Sequence, residues 1–80
     1  MHESDEQKAQ RLTEEMLRKA GWTESELARR RKGDAQKARM AERLHRETPM
    51  SWAWIAKRLG MGHWRTASKA VRKTVLTRKG

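Results

Sequence analysis

The sequence predicts an all-α fold, a small bundle of about five helices. Two observations carry the prediction: every segment between glycine or proline breakers has apolar residues at helical spacing, and no segment alternates as a strand would. The length of 80 residues, with ten alanines among the apolar residues, allows one small domain with a modest core.

The first predicted helix begins after Ser4, whose hydroxyl can cap it while Gln7 occupies the capping-box position. It ends at Ala20, because Gly21 can adopt the left-handed conformation that stops a helix. The residues expected to face the core, at helical spacing, are Ala9, Leu12, Met16 and Ala20.

The second predicted helix is short and is capped by Thr23, with Glu26 expected to complete a capping box. Trp22 and Leu27 are placed as a hydrophobic staple at its start. The helix ends in a basic run at residues 29–32, followed by Gly33. This run can contact phosphate, or it can be a solvated helix end that its own dipole and free carbonyls stabilise.

The third predicted helix begins at Asp34, whose carboxylate can cap it, and ends before Pro49, which disfavours helical geometry at Thr48. The residues expected to be buried are Ala38, Ala41 and Leu44. Three histidines, at positions 2, 45 and 63, are scattered without cysteine or paired carboxylates, so we expect no metal site and no cofactor.

The fourth predicted helix begins after Ser51, runs to Leu59 and is ended by Gly60. Its apolar side consists of Trp52, Ile55, Ala56 and Leu59. Trp54 faces away from that side together with Lys57 and Arg58, and we expect the N-terminal helices to cover it, with a dimer interface or base stacking as the alternatives.

The fifth predicted helix runs from His63 or Trp64 to Leu76, with a frayed tail over residues 77–80. A helical wheel places Trp64, Ala67, Val71 and Val75 on one side, and Trp64, like Trp52, is expected in the core. Four cations lie opposite: Arg65, Lys69, Arg72 and Lys73. Leu76 is a misfit, since it lies on this cationic side and needs either the end of the helix or a partner to cover it.

Charge is strongly polarised along the chain. Residues 1–27 hold four Lys/Arg against seven Asp/Glu, whereas residues 28–80 hold sixteen against three, which gives the net charge of +10. A basic body of this kind concentrates near polyanions, and each phosphate that it neutralises releases counterions. We therefore expect a nucleic-acid partner, and we divide the domain into an acidic-to-basic N-terminal helical pair, residues 1–33, and a DNA-binding region, residues 34–80.

The fourth and fifth predicted helices have the pattern of a helix-turn-helix. Ala56 supplies the small residue where two helices cross, and Gly60 supplies the turn, although the turn is about one residue longer than the tightest versions. Helix 63–76 would then enter the major groove of DNA. The residues predicted to contact DNA are His63, Arg65, Thr66, Ser68, Lys69, Arg72 and Lys73.

Short motifs in order along the chain resemble a known family. They are Gly21-Trp22-Thr23, Arg30-Arg31-Lys32-Gly33-Asp34, Leu44, Glu47-Thr48, Trp54-Ile55-Ala56, Arg58-Leu59 and Met61-Gly62. Together they resemble the C-terminal segment of some bacterial REP-associated tyrosine transposases and related proteins. The resemblance implies a helical DNA-binding accessory. That family's catalytic module uses a nucleophilic tyrosine and a pair of metal-binding histidines, and this sequence has no tyrosine, so strand transfer does not carry over.

Three classes of function stay open at this stage. The first is duplex DNA binding, at inverted repeats or hairpin DNA as the resemblance suggests; the second is binding of RNA or polyanions without sequence readout. The third is a protein-interaction bundle whose acidic first helix docks a partner or folds over the basic face. We expect no enzymatic activity, since neither a cysteine nucleophile nor an assembled acid–base pair is visible.

The remaining expectations concern the setting of the protein. No apolar run is long enough for a membrane span or a signal peptide, and the absence of cysteine removes disulfides and thiolate metal sites. We therefore expect no membrane partner and a location in the bacterial cytoplasm, at the nucleoid. The modest core makes a homodimer an open alternative to a monomer.

Overall fold

Five helices and no strand make up the backbone of residues 3–79, which the computed structural model describes, with side chains described for residues 3–73. The helices are α1 (Asp5–Ala20), α2 (Glu24–Arg29), α3 (Ala35–Glu47), α4 (Trp52–Arg58) and α5 (Trp64–Lys79). The all-α prediction is confirmed. His2 lies outside the described residues, as do the side chains of Val75 and Leu76.

The helix starts follow the capping residues that the sequence predicts. Ser4 Oγ accepts the Gln7 backbone N–H at 3.1 Å, and Gln7 Oε1 accepts the Ser4 N–H at 2.9 Å, which completes the capping box of α1. The predicted caps of α2, α3 and α4 likewise accept backbone N–H groups, and they are Thr23, Asp34 and Ser51. Each cap satisfies a donor that the first turn of a helix leaves unpaired.

The second half of the capping box predicted for α2 is absent. The Glu26 carboxylate does not reach back to Thr23; it pairs with Arg29, the last residue of α2, and with Arg30, its C-cap. A carboxylate at this position can bond either one backbone N–H or two guanidinium groups, and both partners are charged only in its bonds to the guanidinium groups.

The core forms around α3, which packs against α1, α4 and α5. Most residues of the predicted stripes are buried, with Ala9, Leu12, Met16, Ala38, Ala41, Leu44, Ile55, Ala56, Leu59, Ala67 and Val71 in one cluster or beside it. Ala20, also predicted to face the core, is half-buried against this cluster. Pro49 has the predicted effect at the end of α3, where Thr48 is extended at φ −136° and ψ 157°.

Two predicted helix ends are wrong. The helix α4 ends at Arg58, with Leu59 as its cap residue, and α5 continues to Lys79 instead of ending at Leu76 with a frayed tail. No glycine or proline lies between Leu76 and Lys79, so nothing in the local backbone chemistry stops the helix there.

Two tryptophans of α4 are half-buried and pack against the core cluster. The Trp52 ring at the start of α4 stacks on His45 near the end of α3, with ring centroids 4.1 Å apart. This contact joins α3 and α4 near the loop between them. Trp54 lies on the other side of α4. One turn further along that side, Arg58 donates to Gln10 of α1 at 2.6 Å and to Glu24 of α2 at 2.8 Å, so the Arg58 end of this side contacts the N-terminal helices. The cover of Trp54 by those helices stays a prediction.

Candidate nucleic-acid interface

The turn between α4 and α5 is a Schellman motif followed by a second left-handed glycine. Gly60 has φ 66°, and the Met61 N–H donates to the Ala56 carbonyl at 2.8 Å, the long-range bond of that motif. Gly62 has φ 81°. The predicted role of Gly60 is confirmed, and the two glycines reverse the chain so that α5 packs against both α4 and α3.

The side chain of His63 caps α5. Its Nδ1 accepts the Arg65 backbone N–H at 3.1 Å, so it satisfies one of the donors that the first turn of a helix leaves unpaired. His63 is exposed. Its contact with DNA stays a prediction. The structure also gives His63 a structural role at the start of α5, and the sequence pattern does not distinguish the two roles.

The outer face of α5 carries the predicted cations. Arg65, Lys69, Arg72 and Lys73 are exposed, and we call these four residues the α5 cationic face. On the opposite side Ala67 is fully buried and Val71 is 9% exposed. A shallow depression of about 330 Å³ follows the outer face, lined by Trp64, Arg65, Thr66, Ser68, Lys69 and Arg72. Thr66 and Ser68 are half-buried along this depression.

Carboxylates neutralise much of the positive charge elsewhere but little of it on α5. In the described part of the chain, glutamates pair with Arg11, Arg29, Arg30, Arg43, Arg46 and Arg58. Every acidic residue of the chain precedes Thr48. Among the side chains that the structure describes, Arg65, Lys69 and Arg72 form no ion pair with a carboxylate. Their charge is therefore available to an external anion.

The prediction that Trp64 lies in the core is wrong, because 44% of its surface is exposed. Met61, in the turn, is fully buried and supplies the apolar side chain there instead. Trp64 is the first residue of α5, so it lies at the very end of the stripe that the helical wheel describes. Its ring lies beside His63, and the Arg65 guanidinium sits 5.5 Å from the ring centroid. Trp64 thus joins the candidate interface as an apolar surface among cations.

Lys37 is a second residue of the region whose role the sequence analysis did not find. It is fully buried, and its Nζ donates to the Arg30 carbonyl at 2.9 Å and to the Gly60 carbonyl at 3.1 Å. Burial lowers the pKa of its ammonium group, and the nearby Asp34 charge partly opposes that shift. Lys37 therefore ties the loop after α2 to the turn before α5 through two charge-assisted bonds.

A helical wheel of α3 does indicate that Lys37 lies on the buried side of the helix. Positions 37, 41 and 44 fall on one stripe of α3, so a lysine precedes two core residues at helical spacing. A lysine at such a place usually extends its ammonium group to water. Only the positions of the Arg30 and Gly60 carbonyls, which are remote in sequence, turn it into a buried tie.

Two further findings concern other kinds of site. In the described part of the chain, no three side chains among His, Asp and Glu come together as metal ligands would. None of the helices described there combines the length and the apolar composition needed to cross a bilayer.

No protein-family model, curated protein or solved structure matches this chain.

Proposed function

We propose that the protein binds duplex DNA, with α4 and α5 as a helix-turn-helix and α5 as the helix that enters the major groove. One observation carries the proposal: α5 buries one stripe and presents a cationic face whose members Arg65, Lys69 and Arg72 have no carboxylate partner among the described residues. The glycine turn from α4 supports it, because Gly60 and Gly62 bring α5 across the end of α4.

The residues of α5 divide between reading bases and holding phosphates. In a helix-turn-helix the N-terminal part of the second helix approaches base edges, so Arg65, Thr66 and Lys69 are the candidates for sequence readout. Arg72 and Lys73 lie farther along and would neutralise phosphates, which adds affinity on any sequence. The remaining predicted contacts, His63 and Ser68, lie beside the readout positions.

Trp64 adds an apolar contact to this proposal. It lies at the start of α5, where the helix would approach the bases, and it is more exposed than an internal tryptophan would be. Burial of an aromatic ring against the thymine methyl or the sugar of the DNA backbone would remove that apolar surface from water.

The resemblance to the C-terminal segment of REP-associated tyrosine transposases suggests the kind of DNA. Under this proposal the protein is a DNA-recognition accessory of bacterial origin that acts at the nucleoid on inverted-repeat or hairpin DNA. The strand transfer of that family's catalytic module is not part of the proposal, since the chain has no tyrosine to match the family's nucleophile.

A second candidate function is single-strand binding without sequence readout. The observation in its favour is Trp64, because an exposed ring flanked by Arg65 and His63 can stack on an unpaired base. One such ring is a small platform. Proteins that follow single strands place several aromatic side chains along a basic groove, so duplex binding is the stronger candidate.

Selection of binding sites from random duplexes, carried out at two salt concentrations, tests the proposal. The proposal predicts an enriched sequence at the higher salt concentration, where phosphate contacts weaken and base contacts decide which duplexes remain bound. Single-stranded DNA and RNA serve as competitors. Enrichment of no duplex sequence, together with tighter binding of the single strands, would favour the second candidate and contradict the first.

A further inference from the structure

The loop between α2 and α3, residues 30–34, is a second source of positive charge, which we call the basic loop. It continues the basic run that begins at Arg29 and contains Arg31 and Lys32, both of them exposed. The sequence leaves open whether this run contacts phosphate or only stabilises the end of α2. The structure separates its four cations into two kinds.

Glu26 pairs with the first two cations of the run. Its carboxylate accepts bonds from Arg29 and from Arg30 Nε, the latter at 2.6 Å, and the Arg30 guanidinium also lies 4.5 Å from the centroid of the Trp22 ring. Arg31 and Lys32 differ, since neither pairs with a carboxylate among the described side chains. The run therefore contains two cations that are committed to the Glu26 carboxylate, Arg29 and Arg30, and two that are available to an external anion, Arg31 and Lys32.

Of the two available cations, Lys32 lies beside the turn that precedes α5. A methyl group placed on Gly62 would come within 3.2 Å of Lys32 Cδ and 3.3 Å of its Nζ, so the Lys32 side chain passes over the turn that precedes α5. Gly33 of the loop and the α5 residues Thr66, Lys69, Ala70 and Lys73 line one shallow groove of about 430 Å³. The basic loop thus borders, through Gly33, a groove that is also lined by two cations of the α5 cationic face, Lys69 and Lys73.

Hydrogen bonds at both ends of the basic loop hold it in this position. The buried Lys37 donates to the carbonyl of Arg30 at one end of the basic loop and to the carbonyl of Gly60 in the turn before α5. Asp34, at the other end of the loop, caps α3 through the Gln36 N–H at 2.8 Å. Both ends of the loop that carries Arg31 and Lys32 are therefore anchored before any ligand binds, and Lys32 lies beside the turn that precedes α5.

From this arrangement we infer that the basic loop is a second phosphate-binding element, in which Arg31 and Lys32 hold the backbone of the DNA duplex whose groove α5 enters. The inference rests on the proposed function. The ligand chemistry is that of a phosphodiester: a guanidinium fork and an ammonium group both bind its anionic oxygens. Such contacts are independent of base sequence, so the basic loop contributes affinity and orientation and leaves readout to α5.

The test compares two double variants that remove the same charge. Arg31→Ala/Lys32→Ala removes the available cations, whereas Arg29→Ala/Arg30→Ala removes those committed to Glu26. Affinity for a fluorescently labelled random-sequence duplex is measured across a salt series. The first variant is expected to lower the slope of log affinity against log salt by roughly 0.9 for each lost phosphate contact, and the second to leave the slope close to that of the parent protein.

A charge-conserving variant, Arg31→Lys/Lys32→Arg, is expected to keep the parent slope, and circular dichroism melting checks that each variant folds. If Arg31→Ala/Lys32→Ala keeps the parent slope while Lys69→Ala/Arg72→Ala lowers it, the inference is overturned and the proposed function stands. Equal losses in both double variants would also overturn it, since only net charge would then matter. Absence of duplex binding by the parent protein would overturn both.

Discussion

Replacement of Gly60 by alanine tests the turn that positions α5. Gly60 has φ 66°, a left-handed conformation that costs a residue with a Cβ about 1–2 kcal/mol. An added methyl group would lie 3.5 Å from Lys37 Nζ, an ordinary van der Waals distance, so the penalty comes from the backbone and not from a clash. Gly33 is the matched control, because its φ is not positive and no atom lies within 4 Å of an added methyl group.

The comparison of Gly60→Ala with Gly33→Ala isolates the conformational penalty. Both substitutions reduce the entropy of the unfolded chain by the same amount, so the difference between them is the left-handed penalty alone. For a domain of this size each kcal/mol corresponds to roughly 4–8 °C, so Gly60→Ala is expected to melt roughly 4–16 °C below Gly33→Ala. Thermal unfolding followed by far-ultraviolet circular dichroism measures both. Equal melting temperatures would refute the assigned turn geometry.

Three further outcomes follow from the structure. Arg65→Ala is expected to relax the preference for one base position at a cost of about 1–3 kcal/mol, whereas Lys73→Ala weakens selected and random duplexes alike; indistinguishable binding profiles of the two variants would contradict the division of roles. Trp64→Ala is expected to lower duplex affinity several-fold while the melting temperature changes little, because the ring is 44% exposed; an unchanged affinity would remove Trp64 from the interface. The hydrogen bond and charge of Arg58 lower the pKa of Glu24 below the ordinary value for a glutamate, so the stability from this pair is complete above that ordinary pKa and is lost as pH falls through the lowered value. Melting curves from pH 6 down to pH 3, an interval chosen to span the ordinary Glu pKa of about 4.3, should therefore show less acid sensitivity in Glu24→Gln than in the parent, and equal sensitivity would contradict the assignment.

The sequence predicts most of the helical framework because the signals for it are local. A serine followed three residues later by glutamine specifies the start of α1 through bonds between Ser4 and Gln7, and a glycine at the end of an apolar stripe specifies the left-handed stop at Gly60. The buried stripes follow for the same reason, since helical spacing alone decides which residues share a side.

The parts that sequence reasoning misses depend on contacts between residues remote in the chain. Lys37 becomes a buried tie only because the Arg30 and Gly60 carbonyls meet at its ammonium group. Trp64 is exposed because Met61 fills the core at the turn, and a choice between two neighbouring apolar residues is not decided by periodicity. The division of the basic run depends on which cations Glu26 can reach. The residues of the α5 cationic face lie on one helix and are close in sequence, so periodicity predicts that face. The position of the basic loop near them depends on contacts between residues that are remote in the chain, and periodicity does not predict it.

The most direct test of the account is the salt dependence of duplex binding in two charge-matched variants. Lys69→Ala/Arg72→Ala removes two cations from the α5 cationic face, and Arg18→Ala/Lys19→Ala removes two exposed cations from the last turn of α1, which packs against α3. If α5 is the DNA-binding surface, the α5 variant lowers the slope of log affinity against log salt by roughly 0.9 for each lost phosphate contact, while the α1 variant keeps the parent slope. Identical slopes for the two variants would contradict the claim that α5 is the DNA-binding surface.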